Sequence, residues 1–162
     1  MAEHVTIRRA GEADRAGIQA VAAGLPEWFD EHARDVAIPT DIRHQEVFVA
    51  VAAGEVVGFV SVYVSEGRAN IGWIGVRRDL HRRGIGSRLL AAVERRAGEM
   101  GIAEVAVMTL GDGVDYPPYE ATRAFYARCG FTVRRRSTTD NPGCPEELRL
   151  VRDFPIDLPA EN

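Results

Sequence analysis

The sequence predicts an α/β fold, and three observations carry that prediction. Apolar residues alternate with polar ones along several short segments, the period of a half-buried strand. Elsewhere they recur every three to four residues, the period of an amphipathic helix. The two patterns follow one another in the order β-α-α-β-β-β-α-β-α-β-β, with no internal repeat, low-complexity tract or linker between them. At 162 residues and 46% hydrophobic, the chain has the length for one domain over residues 1–162 with a real core.

Each element has a local reason. Residues 4–9 alternate as a strand, and 12–23 read as a helix with Ile18, Val21 and Ala22 facing inward. Residues 25–35 (LPEWFDEHARD) read as a second, short helix with Pro26 near its start, where a missing N–H is harmless. Residues 46–53 and 56–65 alternate on either side of Gly54 and form a hairpin. The next strand is 68–76. From Gly84 to Met100, Ile85, Leu89, Val93, Ala97 and Met100 recur at helical spacing. A buried strand follows at 103–110, then the turn-rich loop GDGVDYPP (111–118). Residues 119–129 form a helix ended by Gly130. Residues 131–138 and 147–154 are strands around a loop containing Asn141, Pro142 and Gly143.

Composition removes several function classes. The net charge is −4, whereas a general nucleic-acid binder is basic overall, so no nucleic-acid partner is expected. Only Cys129 and Cys144 are present, too few for a disulfide framework, which suits a reduced, cytoplasmic setting. The N-terminal MAEHVTIRRA lacks the long apolar run of a signal peptide, and no run is long enough to span a membrane. The four histidines (His4, His32, His44, His81) show no metal-ligand spacing, so no metal is expected.

The segment 76–90, VRRDLHRRGIGSRLL, is the most informative stretch. Arg77, Arg78, His81, Arg82 and Arg83 crowd the start of a helix, whose N-terminus is already positive and rich in unpaired N–H groups. An anion bound there reverses that unfavourable sign, and Gly84 and Gly86 let it approach bare backbone. The alternative is a solvated basic loop with a glycine turn. A Walker A loop would need Gly-Lys-Ser/Thr, and the dinucleotide fingerprint a glycine where Leu89 stands.

His81-Arg82-Arg83-Gly84-Ile85-Gly86 resembles the cofactor loop of the GNAT superfamily of N-acetyltransferases, Gln/Arg-x-x-Gly-x-Gly/Ala, with histidine in the first position. The order of elements matches that family along nearly the whole chain. The resemblance implies a mixed, mostly antiparallel sheet of about seven strands flanked by about four helices. It also implies acetyl-coenzyme A as cosubstrate. Arg82, Arg83, Gly84, Ile85, Gly86 and Ser87 would hold the pyrophosphate, mostly through main-chain amides, and Ile74, Gly75 and Val76 would run beside the pantetheine arm. Residues 122–131, TRAFYARCGF, resemble the family's second motif, in which the tyrosine (here Tyr126) protonates the departing thiolate. Thr122, Phe125, Tyr126 and Cys129 also form one helical face, where an aromatic can simply be core. The asparagine common early in that helix would align with Tyr119.

Acetyl transfer to an amine requires a neutral nucleophile, and holding a lysine-like amine neutral at pH 7 costs about 4–5 kcal/mol. Carboxylates on the two segments that overhang the acceptor in such a fold are the candidate bases: Glu27, Asp30 and Glu31 on one, Asp112 and Asp115 on the other. Asp115 is the first choice, for its position after the strand that leads to the tyrosine helix. Glu27, Trp28, Asp30, Trp73 and Tyr116 are the candidate acceptor contacts, since carboxylates beside aromatics suit a cationic amine; Phe29 and Tyr119 could add to the walls. Each could equally be a solvated charge, a core residue or a rim residue. Arg134, Arg135 and Arg136 could meet an acidic partner or the adenosine 3′-phosphate, or form an exposed strand.

These residues point to an acyltransferase acting on a small-molecule or peptide amine by direct transfer in a ternary complex. Neither cysteine lies in a motif that demands a covalent intermediate. The competing class is a non-catalytic acyl-CoA sensor or interaction module. A DNA-binding regulator would need a basic recognition helix, and the one basic helix here starts with Gly-x-Gly. A homodimer is compatible with this reading.

Overall fold

The computed structural model describes residues 4–154. Among them are seven strands and four α-helices, in the predicted order. The chain divides into two compact units. Of the described residues, one comprises 4–63 and Ile71–Arg96, the other Val64–Asn70 and 97–154.

β1 (Val5–Arg9), β2 (Glu46–Ala52), β3 (Glu55–Ser65) and β4 (Arg68–Val76) lie side by side in that order, and all but the hairpin tip of β3 and β4 belongs to the first unit. β1 and β2 pair antiparallel from Val5↔Ala52 to Arg9↔Phe48. β2 and β3 meet at a two-residue turn in which Ala53 (φ 51°) and Gly54 (φ 77°) are both left-handed, the backbone twist a tight hairpin needs. A 3₁₀ turn (Glu12–Asp14) leads into α1 (Arg15–Ala23). Ile18, Val21 and Ala22 of α1 are buried as the periodicity predicts. They join Leu25, Phe29, Ile38, Val49 and Phe59 in one apolar cluster, where each large side chain contributes about 1.5–3 kcal/mol by leaving water. α3 (Ile85–Glu99) buries Ile85, Leu89 and Val93. Leu89 lies so close to Gly58 of β3 that a Cβ there would stand 3.4 Å from its Cδ1.

The second predicted helix is misplaced. Residues 25–30 are turns, and the helical stretch covers 31–41, with a π turn at Ala33–Ala37 running into α2 (Ile38–Asp41). Two side-chain effects decide this. Asp30 Oδ1 accepts a hydrogen bond from the Ala33 N–H at 2.7 Å, so the helix starts after Asp30 rather than before it. Pro39 cannot donate and would press on the carbonyl four residues back; the wider π turn just before α2 accommodates it.

In the second unit β5 (Glu104–Leu110), β7 (Glu146–Asp153) and β6 (Thr132–Thr138) pair antiparallel in the order β5-β7-β6. β6 is exposed along nearly all its length. Its Arg134 reaches Glu104 and Asp153 at 3.5 and 3.6 Å, and an arginine-lined edge discourages further strand pairing. α4 (Pro117–Arg128) ends in a full Schellman stop. Gly130 is left-handed (φ 89°) and its N–H donates to the Ala127 carbonyl, while the Phe131 N–H reaches back to the Tyr126 carbonyl. The Phe131 ring then packs against the Tyr126 ring, centroids 5.3 Å apart, the apolar contact that accompanies this motif.

Candidate active site

The basic loop sorts its charges. Arg77 is held by Asp79 (2.7 and 3.0 Å) and lies 3.5 Å from Glu55. Arg78 is paired with Glu27. The His81 Nε2–H donates to the Val76 carbonyl at 2.6 Å; a carbonyl only accepts, so that nitrogen carries the proton. Histidine in the first motif position thus ties the loop to the last residue of β4. Arg82 and Arg83 form no ion pair within 4 Å among the described residues, and both are exposed.

The backbone around them alternates in hand. Arg82 has φ 63° and Gly84 φ 78°. For arginine this is strain of about 1–3 kcal/mol, of the kind that collects at ligand sites, and such alternation turns successive N–H groups into an anion-binding concavity. A Cβ added at Gly84 would meet no protein atom within 4 Å, so a ligand can reach the main chain there. The first bond of α3 runs from the Arg88 N–H to the Gly84 carbonyl, so the helix opens at the glycine and its positive dipole end faces the loop. Uncommitted guanidinium groups, open backbone and a helix start fit a diphosphate.

β4 leads to this loop with Ile74, Gly75 and Val76. Gly75 has a packing reason of its own: a Cβ there would stand 3.0–3.3 Å from Phe59, Leu25 and Phe29. Trp73 is half-buried; its indole N–H donates to Asp41 Oδ2 at 2.8 Å and its ring meets Phe29 edge-on, centroids 5.8 Å apart.

The candidate acceptor residues of this unit are tied to the loop. Trp28 lies under the Arg78 guanidinium, 5.8 Å from its centroid, and edge-on to His81, 5.7 Å between centroids. The Arg78 hydrogen bond holds the Glu27 carboxyl below its ordinary pKa. Asp30 spends one oxygen on capping Ala33.

In the other unit, Tyr126 is 2% exposed and packed between Phe125 and Phe131, both with centroids 5.3 Å away. Burial above all, then Tyr119 and Cys129, raise its pKa well above the ordinary phenol value, so the hydroxyl stays protonated at neutral pH. The loop after β5 is fixed by Glu146 and Arg123, which sequence reasoning passed over, and by Arg136 of the exposed strand β6. Glu146 accepts from the Gly113 N–H at 3.1 Å and from Arg136 at 2.7 Å, and Arg136 also binds Asp112. That last bond lowers the Asp112 pKa. A Cβ on Gly111 would collide with the Glu146 side chain, which explains glycine there. Arg123 ties down the end of β5, donating to the Leu110 and Gly111 carbonyls at 2.9 and 3.3 Å. Asp115 is exposed and makes no ion pair among the described residues. Tyr116 is exposed and stacks obliquely on Tyr119, centroids 5.9 Å apart. No group of three or more potential metal ligands occurs, and no helix is long and apolar enough to cross a membrane, among the described residues.

Solved structures share this fold at low identity. A GNAT-family protein from Desulfovibrio desulfuricans superposes with a TM-score of 0.79 at 20% identity, over 93% of this chain and 99% of its own. The ribosomal-protein-S18-alanine N-acetyltransferase of Escherichia coli gives 0.72 at 16% identity, over 98% of each chain. A Bacillus subtilis acetyltransferase in complex with CoA gives 0.69 at 16%, over 93% and 99%. No curated protein matches the sequence. The acetyltransferase (GNAT) family model matches residues 18–131, well over half the chain and inclusive of the basic loop and the tyrosine helix. The chain belongs to the GNAT family of acetyltransferases.

Proposed function

We propose that the protein transfers the acetyl group of acetyl-coenzyme A to an amine of a small molecule or peptide by direct attack in a ternary complex. The observation that carries the reading is the loop at 81–88, with its left-handed Arg82 and Gly84 and its two unpaired guanidinium groups. Bound there, acetyl-coenzyme A supplies an activated thioester. The amides of Gly84–Ser87 and the side chains of Arg82 and Arg83 bind the pyrophosphate, and Ile74, Gly75 and Val76 flank the arm. The hydroxyl of Tyr126 gives its proton to the departing thiolate. Asp115 takes the proton that the amine loses on attack. It suits that role better than Glu27 or Asp112, whose charges are held by arginines. The products are an amide and a free thiol, with protons balanced by the two side chains. Trp28, Trp73 and Tyr116 supply apolar walls for the acceptor, and Glu27 and Asp30 its polar edge.

The test is purified protein with acetyl-coenzyme A and a panel of amines, following free thiol. Amine-dependent thiol release is expected. Coenzyme A binding without release on any amine would replace this reading with that of an acyl-CoA sensor.

A further inference from the structure

We propose that Arg78 is a positioning residue that locks the acceptor-side segment 24–32 onto the anion loop, so that binding of the cosubstrate orders the acceptor wall. The inference rests on the acetyltransferase reading and adds to it a coupling between the two substrates. Arg78 sits in the 3₁₀ turn Arg78–Leu80, directly before the loop. Its side chain makes three contacts with one segment: the Gly24 carbonyl at 3.3 Å, the Glu27 carboxylate, and the face of Trp28. Trp28 in turn touches His81, and His81 is bonded to Val76. A chain of contacts therefore runs from the last residue of β4, through the loop's first motif residue, to the segment and back through Arg78.

The far side of the same segment is anchored independently. Leu25 and Phe29 press on Gly75, and Arg78 adds a second tether to the stretch between them. Unlike Arg82 and Arg83, Arg78 is already committed, and its chemistry suits that role: a planar guanidinium stacks on an indole while its N–H fork binds a carboxylate, a geometry the compact ammonium of lysine lacks. An anion that immobilises residues 81–84 restricts the His81 ring, and through Trp28 and Arg78 the segment loses freedom with it. Linkage makes the effect reciprocal: whatever factor the cosubstrate adds to acceptor affinity, the acceptor adds to cosubstrate affinity.

Hydrogen exchange of the full chain with and without coenzyme A tests this. In the wild-type protein coenzyme A should slow exchange at residues 81–88 and also at 24–32. In Arg78→Ala the first protection should persist and the second should fall by roughly fivefold or more, the scale of a lost cation–π contact and its neighbours. Arg78→Lys, which keeps the charge facing Glu27 but not the plane over Trp28, should lie between. Equal protection of 24–32 in Arg78→Ala and wild type overturns the lock, as does wild-type protection of 81–88 with none at 24–32. Absence of any protection at 81–88, with no heat of binding in calorimetry, overturns the acetyltransferase reading and the coupling together.

Discussion

Around Gly84 two exposed guanidinium groups make no ion pair within 4 Å among the described residues and the backbone is held left-handed, whereas on the candidate acceptor segments most carboxylates already have partners. Glu27 is bound by Arg78, Asp112 by Arg136, and Asp30 caps a helix. The loop keeps positive charge and open backbone that a bound anion would offset. The acceptor segments have spent theirs on holding themselves in place. An anion site can be built from backbone and a few adjacent residues, while an acceptor site must first be assembled from distant parts of the chain. Among the described residues of those segments Asp30, Glu31 and Asp115 make no ion pair, and Asp30 is engaged by the Ala33 N–H.

The comparison can be broken most sharply at Tyr126. Tyr126→Phe keeps the ring that completes the Schellman stop and removes only the proton donor. Its kcat should fall by about 10²-fold, the lower end of general acid catalysis, with coenzyme A affinity and Tm unchanged. An unaltered turnover number would reduce Tyr126 to a helix-end residue. Next in size is Gly84→Val. Its added side chain meets no protein atom, yet at φ 78° it forces the loop to shift or bear strain of about 1–3 kcal/mol. Coenzyme A affinity should drop at least about tenfold, and an unchanged Kd by calorimetry in a folded variant would remove the loop from the site.

A smaller effect separates free from committed cations. Arg82→Ala with Arg83→Ala should weaken coenzyme A binding by roughly threefold to tenfold and flatten its dependence on salt, whereas Arg77→Ala, whose guanidinium already faces Asp79 and Glu55, should change Kd less. Equal losses in the two variants would erase the distinction drawn here. The smallest effect is on stability. Asp14, Glu27, Glu46, Asp79 and Asp112 all have folded pKa values lowered, first of all by arginine hydrogen bonds. Groups of that sign stabilise the fold above the unfolded carboxylate pKa, about 4, and lose that contribution as pH falls through their lower folded values. The drop in Tm should therefore begin below about pH 4.5; a drop already complete at pH 6 would mean that other groups govern acid unfolding.

Much of the fold was legible because its signals are local. The strand 68–76, the helix from Ile85 and the glycine stop at Gly130 each follow from residues within a few positions of one another. The helix expected at 25–35 failed because its true start depends on the Asp30 side chain and its extent on a π turn before Pro39. Within the candidate site, the glycines and arginines of the loop were legible as a motif, but the division of labour among the five basic residues was not. Arg78 meets Glu27 across 51 positions and Arg136 meets Asp112 across 24. No periodicity carries such pairings, so which charge is free is decided only by the folded chain.

The left-handed Arg82 has a consequence for the thermodynamics of binding. A residue confined to one small region of backbone space before its ligand arrives has little disorder left to lose when it is captured. Glycine at position 82 would reach the same angle with less strain but would also wander over a far larger set of conformations. The arginine trades about 1–3 kcal/mol of standing strain for a binding event with a smaller entropic cost. The loop is therefore expected to capture its anion as a nearly rigid body, with the heat of binding set by the contacts formed rather than offset by the freezing of a floppy chain.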